Sequence, residues 1–294
     1  MKLNSGDEVK FDAKKNFTYI KQLGKGGTGD AYLFKDETTD MLFAIKKYVP
    51  KDTRFVDEYY ERFVDEIKIL FNTSHPNIVR VYNYYLYPEE KTGYLQMEFI
   101  DGISIDELEL FPWEEKDWND IFGETIAAFE YLEQNKILHR DGDVRPANIM
   151  VDGRNTVKII DFGFGKKLAD TSKEENSIIL NWPVTEMPDE VTLNQEYDKR
   201  TEIYFVGTLF KRIMQRCEDF SFHHIIDKMT KANPEQRYPS FTEIVNDISN
   251  GIMSDIDFSE KDKEVYLRFA SKLEDHINFW DFPSLERILP KVFQ

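Results

Sequence analysis

The run Leu23-Gly24-Lys25-Gly26-Gly27-Thr28-Gly29-Asp30-Ala31-Tyr32 spaces three glycines as G-x-G-x-x-G. Glycine lets backbone N–H groups approach a polyphosphate with no side chain in the way. Alone the pattern is weak, because glycine turns are common. In a dinucleotide-binding fold such glycines open a helix. Here short apolar and aromatic runs, residues 17–23 and 31–34, lie on either side, so the glycines read as a hairpin between two strands. A hairpin suits a flap covering phosphates rather than a helix N-terminus receiving them.

Outward from the hairpin, Asp36-Glu37-Thr38-Thr39-Asp40 is a turn by composition, and residues 41–49 form a third strand ended by Pro50. The period then changes. Phe55, Tyr59, Phe63, Ile67 and Leu70 recur at three- and four-residue steps, which predicts an amphipathic helix over about 52–71. Residues 79–87 and 94–99 return to strand character, joined by a hairpin connection over 88–93. Asp101-Gly102 divides this strand-rich portion from a mainly helical one. There, Trp118, Ile121, Phe122, Thr125, Ile126, Phe129 and Leu132 form one apolar stripe. Residues 203–214 and 225–229 continue the helical pattern. The stretch 170–194 is polar and aperiodic and reads as a long loop, a class usually functional or disordered.

The chain has 294 residues, 41% apolar and 32% charged, with a net charge of −17. The length fits two domains or one bilobal unit. The charge disfavours broad binding to a phosphate backbone, so no nucleic-acid partner is expected. One cysteine, Cys217, excludes an intramolecular disulfide framework. There is no run of 18 or more apolar residues and no apolar stretch near Met1, so neither a membrane span nor a signal peptide is expected, and the expected location is the cytoplasm.

Lys46, in Phe43-Ala44-Ile45-Lys46, sits within an apolar strand, where an unpartnered ammonium is costly to bury. It reads either as an edge-strand lysine facing solvent or as one paired with a carboxylate and a phosphate. Glu66, 20 residues on and within the predicted helix, is the natural partner. Glycine loop, strand lysine and helix glutamate in this order resemble the eukaryotic-type protein kinases. Glu66-Ile67-Lys68-Ile69-Leu70 and His75-Pro76-Asn77-Ile78-Val79 look like that family's helix and following turn, and the resemblance runs to about Asn250. It implies an α+β, bilobal protein-kinase-like fold: an N-terminal antiparallel sheet lobe with one helix, a mainly helical C-terminal lobe and extra C-terminal helices. The corresponding boundaries are a nucleotide-binding lobe over 1–100, a catalytic lobe over 101–250 and an extension over 251–294.

His139-Arg140-Asp141-Gly142-Asp143-Val144-Arg145-Pro146-Ala147-Asn148 looks like the family's catalytic loop, in which an aspartate lies five residues before an asparagine. Asp143 meets that spacing to Asn148. Asp141 sits in an apparent His-Arg-Asp triplet but lies seven residues away, so the loop has two extra residues or an Asp-Gly-Asp in place of the triplet. Two inserted residues displace a carboxylate by up to ~7 Å if extended, which favours Asp143 over Asp141 as proton acceptor. Arg145 stands where Ser/Thr-specific members carry a lysine, and either cation neutralises a γ-phosphoryl oxygen. Thirteen residues after Asn148 comes Asp161-Phe162-Gly163, the family's metal-binding triplet. Asn148 and Asp161 are thus the implied Mg²⁺ ligands.

The resemblance implies further roles. Gly24, Gly26 and Gly29 cover the phosphates of ATP, with Lys46, held by Glu66, on its α/β oxygens. Ala31 stands where the family usually has a valine and gives a shallower roof over the adenine. Met97 guards the back of the pocket, Ala44 and Met150 sandwich the base, and the Glu98 carbonyl and Ile100 N–H hold its edge. Pro188-Asp189-Glu190 falls where the family has Ala-Pro-Glu, and Asn233-Pro234-Glu235-Gln236-Arg237 supplies the arginine expected to pair with Glu190. Glu202 replaces a usual aspartate and is expected to reach the altered backbone near Gly142. Because Gly142, rather than an arginine, precedes Asp143, phosphorylation at Thr171, Ser172, Ser177 or Thr185 is not expected to be obligatory, with Arg140 the reserve phosphate reader. The implied activity is ATP-dependent phosphoryl transfer to Ser or Thr of a protein substrate, autophosphorylation included. A catalytically silent binding module and a small-molecule kinase are the alternatives. The apolar-rich extension, with Tyr266, Leu267, Phe269, Phe279 and Trp280, reads as a packing brace or a partner-docking surface.

Overall fold

Alternating apolar side chains at the N-terminal end build a five-stranded antiparallel sheet. The computed structural model describes residues 15–25, 29–49, 56–110, 117–139, 145–162, 166–167, 188–192, 197–214, 219–255, 265 and 268. Strands β1 (Phe17–Lys25), β2 (Gly29–Asp36), β3 (Leu42–Tyr48), β4 (Val81–Tyr87) and β5 (Thr92–Glu98) lie in the order β1-β2-β3-β5-β4. The glycine run thus connects two antiparallel neighbours, with Gly24 opposite Ala31 and Lys25 opposite Asp30. The β2–β3 turn is held by Asp36, whose Oδ1 accepts from the N–H groups of Thr38 at 2.8 Å and Thr39 at 3.0 Å. These bonds hold the Asp36 carboxyl below the usual carboxylate range. Aromatics on the outer face pack edge to face, Phe17 on Phe43 and Tyr19 on Phe34.

Helix α1 (Val56–Phe71) crosses this lobe. Asp57 and Glu58 in its first turn and Lys68 in its last complement the helix dipole. Its buried face carries Tyr60, Phe63, Ile67, Ile69 and Leu70, and Phe63 stacks on Tyr48 at 5.3 Å between centroids. Glu66 lies on this same apolar face, 2% exposed, which requires a partner for its charge.

The chain continues through β6 (Gly102–Ser104), α2 (Ile105–Leu110), α3 (Trp118–Gln134), β7 (Ile137–Leu138), β8 (Ile149–Asp152), β9 (Val157–Ile159), β10 (Lys166–Lys167), α4 (Asp189–Thr192), α5 (Lys199–Met214), α6 (His223–Met229) and α7 (Phe241–Asp255). Asp117 caps α3 by accepting from the N–H of Asn119 at 2.8 Å. The α3 stripe is fully buried at Ile121, Phe122, Ile126, Phe129 and Leu132. Helices α5 and α6 approach so closely that a Cβ on Gly207 would lie 2.7 Å from Cβ of Met229. One apolar cluster runs without a break from Tyr48 in the sheet lobe to Ile248 in α7.

Three features differ from the sequence expectation. Gly102, read as a divider, opens a strand: β6, β8 and β9 form a small antiparallel sheet inside the helical portion. Residues 189–192, placed in the long loop, form the short helix α4. Helix α2 follows β6 directly, where no helix is expected. Elements of two to six residues carry too little periodicity to announce themselves. The chain divides into two compact units, residues 1–248 and 249–294. The second is described only over 249–255 and at residues 265 and 268. The apolar run near its end, and Thr171, Ser172, Ser177, Thr185 and Cys217, lie outside the described residues.

Arg237 and Glu190 form the expected bridge, with side chains 0% and 10% exposed. The guanidinium grips both carboxylate oxygens. It also donates to the carbonyls of Lys231 at 2.6 Å, Ala232 at 2.8 Å and Arg200 at 3.2 Å, and lies over the Tyr204 ring. All five donors of the fork are thereby used. Replacing Arg237 with Leu strands a buried carboxylate and three carbonyls. We expect a loss of about 3–5 kcal/mol, read from the denaturant midpoint of unfolding.

Candidate active site

The site begins with an ammonium that cannot be buried alone. Lys46 on β3 is 8% exposed, and its Nζ donates to Glu66 Oε1 at 2.7 Å and Oε2 at 3.0 Å. It also donates to Asp161 Oδ1 at 3.0 Å. One cation thus joins three distant parts of the chain: a strand, a helix and the segment after β9. Burial by itself lowers the Lys46 pKa, but the carboxylates of Asp161 and Glu66 outweigh it and the group is raised well above the ordinary lysine value. For Glu66, burial is the larger effect and raises its pKa against the pull of Lys46 and the backbone N–H of Phe162. Asp161 differs from both in keeping 44% of its side chain exposed.

Asp161 has φ of 65°, in the left-handed region. Among non-glycine residues, Asp and Asn adopt it most readily. The next side chain, Phe162, is 1% exposed and packs edge-on against His139 with centroids 4.7 Å apart. Asn148 ends a single 3₁₀ turn begun by Pro146, just before β8. The β8–β9 ladder pairs Ile149 with Ile159, and the N–H of Ile160 donates to the carbonyl of Asn148 at 2.8 Å. Asn148 and Asp161 therefore flank the same end of that ladder. Their amide and carboxylate oxygens are hard donors of the kind Mg²⁺ takes. Among the described residues there is no cluster of three His, Cys, Asp or Glu side chains placed to hold a metal.

Several of the remaining expected residues lie on β1, β2, β3, β5 and β8. Ala31 is opposite Lys46 in the β2–β3 register, and Ala44 is opposite Met97 across β3–β5. Met150 lies on β8 between Ser104 and Lys158. Ile100 is 8% exposed in the connection from β5 to β6. Glu98 ends β5, with its N–H on the carbonyl of Arg80 at 2.8 Å. Gly24 and Gly29 play different structural parts. A Cβ on Gly29 would lie 2.5 Å from the Lys47 carbonyl oxygen, whereas one on Gly24 would meet nothing within 4 Å. Packing requires Gly29 to be glycine; at Gly24 no packing among the described residues does. Arg145 precedes the 3₁₀ turn and is half-buried. Gly26, Arg140, Asp141, Gly142 and Asp143 lie outside the described residues. Glu202 is 2% exposed in α5, and the Gly142 backbone expected to receive it is among those residues.

Sequence reasoning missed two supports and gave the quoted His139 no role of its own. Lys158 Nζ lies 2.9 Å from Glu98. Glu124 of α3 accepts from the N–H of Val157 at 2.6 Å and from Asn77 Nδ2 at 2.9 Å. A carboxylate beside an otherwise apolar helix stripe was the available signal for Glu124. His139 is 1% exposed, and among the described residues neither ring nitrogen makes a hydrogen bond of ordinary geometry. Burial drives its pKa down to about 4, with a partial offset from the Asp161 carboxylate and backbone.

A bilobal α+β fold in which a strand lysine is clamped by a helix glutamate and an Asp-Phe-Gly aspartate is that of a protein kinase domain. The protein kinase domain family model matches residues 17–269, and the chain belongs to that family. It is 28% identical over 200 residues to the serine/threonine-protein kinase PrkC of Bacillus subtilis, covering 67% of this chain and 30% of that protein. It is 26% identical over 262 residues to the serine/threonine-protein kinase PknB of Mycobacterium leprae, covering 77% and 41%. To Aurora kinase B of Xenopus tropicalis it is 25% identical over 284 residues, covering 95% and 74%. The chain thus spans well under half the length of the two bacterial relatives.

Two expected outcomes follow from this geometry. His139 is neutral in the fold at pH values where the unfolded chain is protonated. Its contribution is complete above about pH 6.5 and is lost as pH falls toward about 4, up to roughly 3 kcal/mol. Denaturant midpoints measured from pH 7.5 to 4.5 should therefore fall less steeply for His139→Leu than for the native chain. Gly29→Ala should lower the melting temperature, whereas Gly24→Ala should leave it unchanged, both read by thermal unfolding without ligand.

Proposed function

We propose that this chain is an ATP-dependent serine/threonine protein kinase. The observation that carries the reading is the position of the Lys46 ammonium, 2.7 Å from Glu66 and 3.0 Å from Asp161. This is a preorganised cation beside a part-exposed carboxylate, the arrangement phosphoryl transfer requires, since its catalysis is mostly positioning and charge stabilisation. In this reading Lys46 contacts the α/β oxygens of ATP, and Gly24, Gly26 and Gly29 lie over the phosphates. The adenine sits between Ala31, Ala44 and Met150, with its edge on the backbone of Glu98 and Ile100. Asn148 and Asp161 hold Mg²⁺, which when bound neutralises charge on the phosphates. Asp143 orients the acceptor hydroxyl and takes its proton, and Arg145 stabilises the transferring group.

The acceptor is a serine or threonine of a protein. Two features support this: relatives named serine/threonine-protein kinases, and the Arg237–Glu190 bridge, which sits where protein kinases carry that pair. A cytoplasmic location belongs to the same proposal and rests on the sequence expectation. No helix among the described residues is long and apolar enough to cross a membrane.

Labelling of mixed protein acceptors with γ-phosphate-labelled ATP and Mg²⁺, followed by phosphoamino-acid analysis, tests the reading. The native chain should yield phosphoserine and phosphothreonine. Asp143→Ala should reduce incorporation by about 10²-fold or more, while Asp141→Ala retains most of it. Loss confined to Asp141→Ala would reassign the base. No incorporation by the native chain, with nucleotide still bound, would leave a binding module instead.

A further inference from the structure

The β9 strand has only three residues, yet it sets where Asp161 emerges. Its backbone is fastened to the segment that follows α1. The N–H of Ile159 donates to the Asn77 carbonyl at 2.8 Å, and the N–H of Val79 donates to the Ile159 carbonyl at 3.0 Å. Asn77 adds its side chain, with Nδ2 donating to the Val157 carbonyl at 3.0 Å and to Glu124 Oε2 at 2.9 Å. The same Glu124 oxygen accepts from the N–H of Val157 at 2.6 Å. A single carboxylate oxygen from α3 therefore binds both partners of this junction. One partner leads back through the turn to α1 and Glu66; the other leads four residues forward to Asp161.

We propose that Glu124 is a positioning residue that sets Asp161 relative to the Lys46–Glu66 pair, and through it the Mg²⁺ requirement of nucleotide binding. The second half rests on the reading of the site given above; the first does not. Charge-assisted bonds to a backbone N–H and a carboxamide are stronger than neutral ones, and Asn77, 6% exposed, is too buried for water to replace them readily. Truncating Glu124 leaves the N–H of Val157 and one Nδ2 proton of Asn77 without this acceptor. The strand is then held to the α1 side by its two backbone bonds and the Asn77 Nδ2 bond to the Val157 carbonyl. Lys46 keeps its two bonds to Glu66 and the glycine hairpin lies outside this junction, so the adenine and phosphate contacts persist while the metal-side carboxylate loses register.

Two measurements on the full chain test this, using Glu124→Ala and Glu124→Gln, since glutamine keeps an oxygen that accepts both bonds. The first is amide hydrogen exchange without ligand. Glu124→Ala should speed exchange of the Val157 and Ile159 amides by roughly tenfold, about the worth of one hydrogen bond to a charged group. Amides in the middle of α3 should stay at native rates, and Glu124→Gln should restore protection. The second compares ADP affinity with saturating Mg²⁺ and with EDTA. Glu124→Ala should weaken the Mg²⁺-dependent part severalfold and leave metal-free ADP affinity within twofold. Unchanged exchange at Val157 and Ile159, equal loss of affinity with and without Mg²⁺, or a Glu124→Gln protein as impaired as Glu124→Ala would each overturn the proposal. If the native chain binds no ADP in either buffer, the site reading fails and exchange alone decides the positioning role.

Discussion

A buried ammonium shared by two carboxylates is the interaction on which the arrangement depends. Lys46 stands on a sheet, Glu66 on a helix and Asp161 beyond a short strand, and the ammonium joins all three. Lys46 or Glu66 alone would be a liability in this environment. Together they convert a desolvation penalty into a demand for geometry, because a buried charge pair is tolerated only when its hydrogen bonds are made. The demand reaches outward: α1 must present Glu66 on its apolar face, β3 must point Lys46 inward, and β9 must end where Asp161 can meet them.

The second constraint is continuity of packing. The apolar cluster spanning sheet and helices leaves few places for a polar group, and those present are heavily bonded. Arg237 uses every donor, Glu124 binds two partners through one oxygen, and Lys158 neutralises Glu98 at the end of β5. His139 and the Tyr60 hydroxyl are exceptions among the described residues. The histidine matters more to the site. It is wedged beside Phe129 and Phe162 with its nitrogens poorly served, so it is held neutral by burial.

Much of this was legible in the sequence, for physical reasons. The glycine hairpin declared itself because strands, not a helix, follow it. Glu66 declared itself because the 3.6-residue period puts it on the buried face of α1, and a buried lysine needs a carboxylate. Arg237 and Glu190 were legible from resemblance rather than from physics, since nothing in their spacing of 47 residues predicts contact. What escaped was of two kinds. Elements such as β6, β9 and α4 are shorter than the windows in which periodicity accumulates. Pairs such as Glu98 with Lys158 and Glu124 with Asn77 are long-range polar contacts whose members, taken singly, look like ordinary surface residues.

The left-handed backbone at Asp161 carries a consequence for how such a chain could drift. Most side chains would strain that conformation, so random replacement there is punished twice, through the charge and through the fold. Asparagine and glycine escape the second punishment. A lineage that abandoned catalysis while keeping its shape would therefore change this position to one of those two, which makes it the place to look when sorting working members from silent ones.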